Sequence, residues 1–499
     1  MKKSLLWGAL CPTFSLLAAP SLGAIPATPK KSSATTISNS KTTAAPQKIK
    51  AKTVAATKNQ GQAKSAAPRA FSSSASLEKL PNGVQFITRP DKLAPRVAIS
   101  LVIRTGAAEE TPETAGWRRF LVGAMLRAAP QGYATEKSDA SPSTPQDEDL
   151  SRVAEKLGGS IGATVGDDFI EIYAIGDSQK APELLDLALA LWQKPRLSDE
   201  DLKAARESSQ GQIDADDLDT ASKTQAALRG QLFRDARGEL SAYGLPDYGT
   251  DASLANLSDE KLRALQQSRF SNARLTVAAS GDFDAAALRE KLKQLPPRAG
   301  REPATPYFAA PKRTPALVVR ELPIPSAWVF VSYPLAGDTQ AEAPALRVLA
   351  AALGDSGAAR LPARLLKNQP MGASTVASSV AAQFIPRRYA GELTVFAQTG
   401  PQNVERVKNA LLDEIRRLRD APLSKAELES AKTYARGSWS LERQNGRARA
   451  FQTALSSALG GPLDTAFPAR LQSVTGAQVQ NAAKKYLKSY AVALVMPGE

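Results

Sequence analysis

Gly354-Asp355-Ser356-Gly357 sets a serine between glycines, the setting of a hydrolase nucleophile. Such a serine needs a general base, normally an imidazole, to take its proton. None of the 499 residues is histidine, and no motif supports a Ser–Lys pair, so the segment reads as a helix-to-helix turn. Imidazole is also the commonest metal ligand. Its absence removes Ser-His-Asp, Cys-His, His-zinc and haem-His chemistry together. The only cysteine, Cys11, sits in an apolar N-terminal stretch, so the rest of the chain offers no thiolate. The carboxylates that remain suit calcium or magnesium better than zinc. Arg118-Arg119 could hold an anionic group, but the reading favoured is that Arg119 pairs with a nearby acid. No Walker-type or dinucleotide glycine loop is present.

The N-terminus reads Met1-Lys2-Lys3, an apolar stretch from Leu5 to Leu17, then Ala18-Ala19-Pro20-Ser21-Leu22-Gly23-Ala24. That is a charged start, a short apolar core and a small-residue end, which predicts a secretory signal over residues 1–24 and export to a bacterial periplasm. The stretch is too short for a permanent membrane anchor. Leu10 precedes Cys11, which argues against lipidation. The formal charge is +15, but residues 1–77 carry eleven Lys/Arg and no acid, while the remainder has 53 basic and 49 acidic residues. Basicity therefore belongs to the tail, and no nucleic-acid partner is implied. Residues 25–76, rich in Ala, Lys, Thr, Ser and Pro, cannot bury enough apolar surface to offset chain entropy and read as a disordered basic linker. At most it makes peripheral contact with a membrane or cell-wall polymer.

The rest of the chain reads as two rounds of one pattern. A turn at Leu80-Pro81-Asn82-Gly83 leads into strands at 84–87 and 96–103, the second alternating apolar and polar positions. Thr111-Pro112-Glu113-Thr114 announces a helix over 115–127. A polar insert, 131–149, and a helix at 150–157 precede a hairpin of strands 160–164 and 169–175 turning at Gly166-Asp167-Asp168. Long amphipathic helices follow at 181–193 and 199–234, then a helix at 258–269, a strand at 273–279 and a helix at 285–294. A Pro-rich break near 296–300 separates this from a second series. It has strands at 316–322 and 328–333, helices at 342–353 and 359–367, strands at 374–380 and 391–396, long helices at 403–419 and 424–449, a helix at 477–487 and a strand at 492–495. The expected fold is α+β, with two duplicated domains, 77–298 and 305–499. Each would be a mostly antiparallel sheet with long helices packed on one face.

Several segments, taken in order, resemble the insulinase/pitrilysin metallopeptidases, in particular the two-domain subunits related to the mitochondrial processing peptidase. They are Leu80-Pro81-Asn82-Gly83-Val84, Arg104-Thr105-Gly106-Ala107-Ala108-Glu109-Glu110 and Gly116…Phe120-Leu121…Met125-Leu126. Tyr248-Gly249-Thr250, Leu257-Ser258, Asn272-Ala273-Arg274-Leu275 and Gly281-Asp282 complete the first series. Pro422-Leu423-Ser424…Glu427-Leu428 and Val474-Thr475 belong to the second. The resemblance spans about residues 77–499. It implies metallopeptidase-like halves of a clamshell that closes around a peptide.

Active members of that family carry His-x-x-Glu-His on the helix that follows the first strands. Spacing of four residues puts both imidazoles on one helix face for zinc, and the glutamate acts on zinc-bound water. By the resemblance the histidine positions are Arg119 and Gly123, the glutamate position is Val122, and the third ligand, a glutamate, maps to Gln212. A guanidinium, a glycine, an isopropyl group and a neutral amide stand where the metal site would be. The resemblance further places Lys367 and Ser374 where the family has a substrate-gripping arginine and tyrosine. Lys367 also reads as a solvated helix-end cation. The expectation is a pseudo-peptidase with no catalytic residues, no metal and no cofactor. Its expected role is the non-catalytic, peptide-binding subunit of a periplasmic heterodimeric zinc protease, paired with an active subunit that keeps the zinc site. It would bind an extended peptide at a sheet edge. A stand-alone structural or chaperone-like scaffold is the alternative; an active metalloendopeptidase ranks last.

Overall fold

The computed structural model describes residues 75–133, 150–218, 220–234, 238–300, 316–322, 324–336, 339–367 and 376–498. The signal, nearly all of the basic linker, most of the polar insert and Ser374 lie outside the described residues.

The first sheet has six strands: β1 (Ser76–Lys79), β2 (Gln85–Pro90), β3 (Arg96–Ile103), β4 (Gly159–Val165), β5 (Ile170–Asp177) and β6 (Leu275–Gly281). Their spatial order is β1-β2-β6-β3-β5-β4. β2 runs parallel to β6, and the other neighbours are antiparallel. The second sheet has five strands: β7 (Ala316–Leu322), β8 (Ala327–Ala336), β9 (Ala377–Ile385), β10 (Ala390–Thr399) and β11 (Ala491–Pro497). Its order is β7-β11-β8-β10-β9, again with one parallel pair, β7 with β11. The α+β class, the two series of elements and the mostly antiparallel sheets are as expected from the sequence.

Each sheet buries one face under helices of its own half. Val97, Ile99, Leu101 and Ile103 of β3 meet Trp117, Phe120, Leu184, Leu187 and Leu262. In the second half Val329, Val331 and Leu335 of β8 meet Leu346, Leu349, Leu411 and Ile415.

The opposite faces are not left to solvent, as a one-faced helix layer would leave them. Leu228 and Leu232 of the Thr220–Leu232 helix, with Phe233, pack against Phe330, Ala491, Ala493 and Val495 of the second sheet. Reciprocally, Ala450, Phe451, Ala454 and Leu455 of the Gly446–Ala458 helix pack against Ile87, Val102 and Ala278 of the first. Each half lends a helix to the other. The exchange explains two departures from the sequence expectation. The 424–449 helix is in fact Lys425–Leu441 and then Gly446–Ala458, restarted by Asn445, whose side chain accepts the Ala448 amide at 2.8 Å. Ser100, an apparently solvent-facing position of β3, is fully buried and donates to Glu171 at 2.9 Å. Glu171 in turn accepts from Arg447 of the lent helix at 3.0 Å.

Candidate functional site

Helix Trp117–Met125 begins at Gly116, whose φ of 82° lies in the left-handed region. Its partner is Gly249, with φ 84°. A Cβ on Gly116 would fall 2.4 Å from the Tyr248 carbonyl oxygen, and one on Gly249 would fall 2.4 Å from the Ala115 carbonyl oxygen. Only glycine tolerates both the dihedral and the approach. Two glycines back to back thus fix the start of the helix against the turn that carries Asp247 and Tyr248. From there Ser253 Oγ donates to the Ala115 carbonyl at 3.0 Å.

That clamp aims two consecutive arginines at one carboxylate. Arg118, 1% exposed, donates from Nη1 to Glu110 Oε2 at 2.6 Å, from Nε to the Gly166 carbonyl at 3.3 Å, and from Nη2 to Asp247. Arg119 donates from Nη2 to the other oxygen of Asp247, and its guanidinium lies 4.6 Å from the centre of the Tyr248 ring. Burial pushes the Asp247 carboxyl up, but the Arg119 and Arg118 guanidiniums outweigh it and hold the group below its ordinary value. Glu110 is the converse case: burial dominates its attraction to Arg118 and raises it. The pairing of Arg119 with an acid is the arrangement favoured from the sequence. Asp247 and Glu110 were not picked out there. Glu110 closes one segment that the family resemblance rests on and Asp247 directly precedes another, and those acids were the available signal.

The remaining positions behave differently. Val122 is buried in the core beside Phe120 and Leu121. Gly123 is exposed, and a Cβ there would meet nothing within 4 Å. Gln212 lies half-buried on helix Asp199–Leu218, which packs against Trp117–Met125. Arg206 of the same helix sets its guanidinium 4.9 Å from the Phe120 ring centre. As a donor set for zinc these residues do not fit. Arg119 is a cation already committed to Asp247, Val122 and Gly123 carry no side-chain donor, and Gln212 offers a neutral amide. Among the described residues no group of three or more Asp, Glu, Cys or His is placed to hold a metal.

In the second half Lys367 is exposed and donates from Nζ to the Gly357 carbonyl at 2.8 Å, as a helix-end cation does. Its proposed companion, Ser374, is outside the described residues. Ser356 is buried and donates to the Ala351 carbonyl at 3.2 Å, which makes it part of a turn. The Asp167-Asp168 turn does not face solvent either. It receives Arg387 and the Arg388 amide from the β9–β10 turn of the second half.

Comparison with known proteins agrees with this frame. The family description "Insulinase (Peptidase family M16)" matches residues 85–243, and "Peptidase M16 inactive domain" matches residues 256–434. A Bacillus subtilis protein described as "Uncharacterized zinc protease YmxG" is 21% identical over 423 residues, covering 83% of this chain and 97% of that protein. A protease from Helicobacter pylori shares the fold with a TM-score of 0.73 at 14% identity, covering 85% of this chain and 99% of the other. A peptidase M16 inactive domain from Pseudomonas fluorescens gives 0.72 at 17% identity with the same coverage. A chain of Complex III2 from Candida albicans gives 0.66 at 19% identity, over 84% of this chain and 95% of that one. With family matches in both halves and the fold shared along nearly the full length of these proteins, the chain belongs to the insulinase family of peptidases.

Proposed function

We propose that the chain is a catalytically inactive insulinase-family homologue, exported to the periplasm, that serves as the non-catalytic, peptide-binding subunit of a heterodimeric zinc protease. The observation that carries this reading is the ion pair of Arg119 with Asp247. Arg119, which the family resemblance sets at the position of the first metal-binding histidine, is committed to a salt bridge, on a helix whose start a pair of glycines fixes. Hydrolysis would need a general base and a Lewis acid; Val122 supplies neither, and no imidazole exists in the chain. A frame kept without its chemistry fits a role in walling a chamber and gripping extended peptide. The outer strands β4 and β7 offer sheet edges for an added strand. On β7, Leu317 and Val319 are 61% and 54% exposed.

A scaffold role without a protease partner is the second reading, favoured by the likeness to a chain of Complex III2. Affinity purification of the native exported protein separates the two. The heterodimer reading expects a co-purifying relative with an intact His-x-x-Glu-His, with zinc and peptide cleavage following that relative. Purification without any such chain would refute it. Stoichiometric zinc and cleavage by this chain alone would refute both readings.

A further inference from the structure

The seat between the two halves holds a carboxylate, Asp168, whose hydrogen bonds come from neutral donors and which Arg387 attracts only from a distance. Asp168 is 6% exposed. One of its oxygens accepts from the Tyr243 hydroxyl, and the other accepts from the Arg388 amide of the second half at 2.9 Å. Both donors are neutral. The arginines nearby are spent elsewhere. Arg387 donates from Nε to Asp167 and from Nη1 to Glu392 at 3.1 Å, and Arg229 donates to Asp167 at 3.2 Å. The groups facing the seat are therefore Tyr243, Arg229 and Arg118 from the first half, and Arg387, Arg388, Tyr389 and Glu392 from the second. Asp167 is a second negative charge at the adjoining residue.

We propose that this seat is a proton-operated joint between the halves, held most tightly when Asp168 is protonated. A protonated Asp168 donates to the Tyr243 oxygen and still accepts the Arg388 amide. Ionisation instead places a charge that Arg387 only partly offsets in a buried interface beside Asp167. The direction of its titration agrees: burial pushes the Asp168 carboxyl up to about 6, against the hydrogen bonds from Tyr243 and Arg388. Because the fold binds this proton more tightly than the unfolded chain, Asp168 favours the joint fully at low pH. Its contribution falls as pH rises from about 4 and is lost above about 6. Asp167 titrates on the other side: its arginines hold it far below the usual carboxylate range, so it stays ionised throughout this window. The inference stands apart from the proposed function, since it needs neither a partner nor a peptide.

Hydrogen exchange of the full-length protein tests it, read at the Arg388 amide and along helix Thr220–Leu232 and corrected for intrinsic exchange. Protection should be greater at about pH 5 than at about pH 8 by roughly tenfold or more. Asp168→Asn, whose amide can donate to Tyr243 and accept from Arg388, should hold the same protection at both. Tyr243→Phe removes a bond from both forms of Asp168, but the carboxylate loses the stronger, charge-assisted one, so the wild-type midpoint should move to higher pH, which keeps the test open if Asp168→Asn fails to fold. Equal wild-type protection at the two pH values would overturn the joint. So would a wild-type pH difference surviving in Asp168→Asn, or an unmoved midpoint in Tyr243→Phe.

Discussion

Asp247 answers two guanidiniums at once, one oxygen each, and Arg118 has little other route to neutrality than Glu110. Neutralising Asp247 strips Arg119 of its ion pair beside a second buried cation, Arg118, which keeps only its ion pair with Glu110. Asp247→Asn should therefore cost about 3–5 kcal/mol, the usual penalty for orphaning a buried charge. Arg119→Gln should cost clearly less, because Asp247 then keeps Arg118. Urea unfolding of the two variants checks the order, and equal costs would show that Arg119 is the true anchor. At this scale the sequence was partly legible. The missing histidines came directly from residue types, and the expectation that Arg119 pairs with an acid agrees with its bond to Asp247. Asp247 did not, because its partner lies 128 residues away and only the glycine clamp of Gly116 and Gly249 brings the two together.

Two glycines in and beside one helix should respond in opposite senses. Gly116 has a left-handed φ and the Tyr248 carbonyl in the way of any Cβ. Gly123 sits inside the same helix with open space around it. Gly116→Ala should destabilise by more than about 1 kcal/mol. Gly123→Ala should stabilise by roughly 0.5–1 kcal/mol, since a helix-interior glycine costs backbone entropy and nothing here requires it. Thermal melts decide both, and a destabilising Gly123→Ala would show that a neighbour does press on that face. Most elements were readable from periodicity, as the 316–322 strand and the 181–193 helix show. The run 424–449 was not, because its two helices are both amphipathic and the Asn445-Gly446 restart is shorter than the usual loop signal. Ser100 misled for another reason: a strand covered on both faces does not alternate inside and outside.

At the scale of the whole chain, the lent helices make the two halves one folding unit. The first sheet loses the cover of Ile87 and Val102 if the second half opens, and the second sheet loses the cover of Phe330 and Val495 if the first does. Three ionic contacts across the seam share a sense, with Arg387, Arg447 and Arg449 of the second half set on Asp167, Glu171 and Asp91 of the first. Duplication was visible in the order of elements, but exchange was not, since no local pattern states which sheet an apolar helix face will cover. The consequence is cooperative unfolding. Leu228→Ala, a change in the first half beneath the second sheet, should cost about 2–5 kcal/mol. It should lower the midpoint of a fluorescence signal from Trp328 in the second half and one from Trp192 in the first by the same amount, with equal calorimetric and van't Hoff enthalpies. Two separated transitions, with only the Trp328 signal displaced, would mean that each sheet holds together without the helix it borrows.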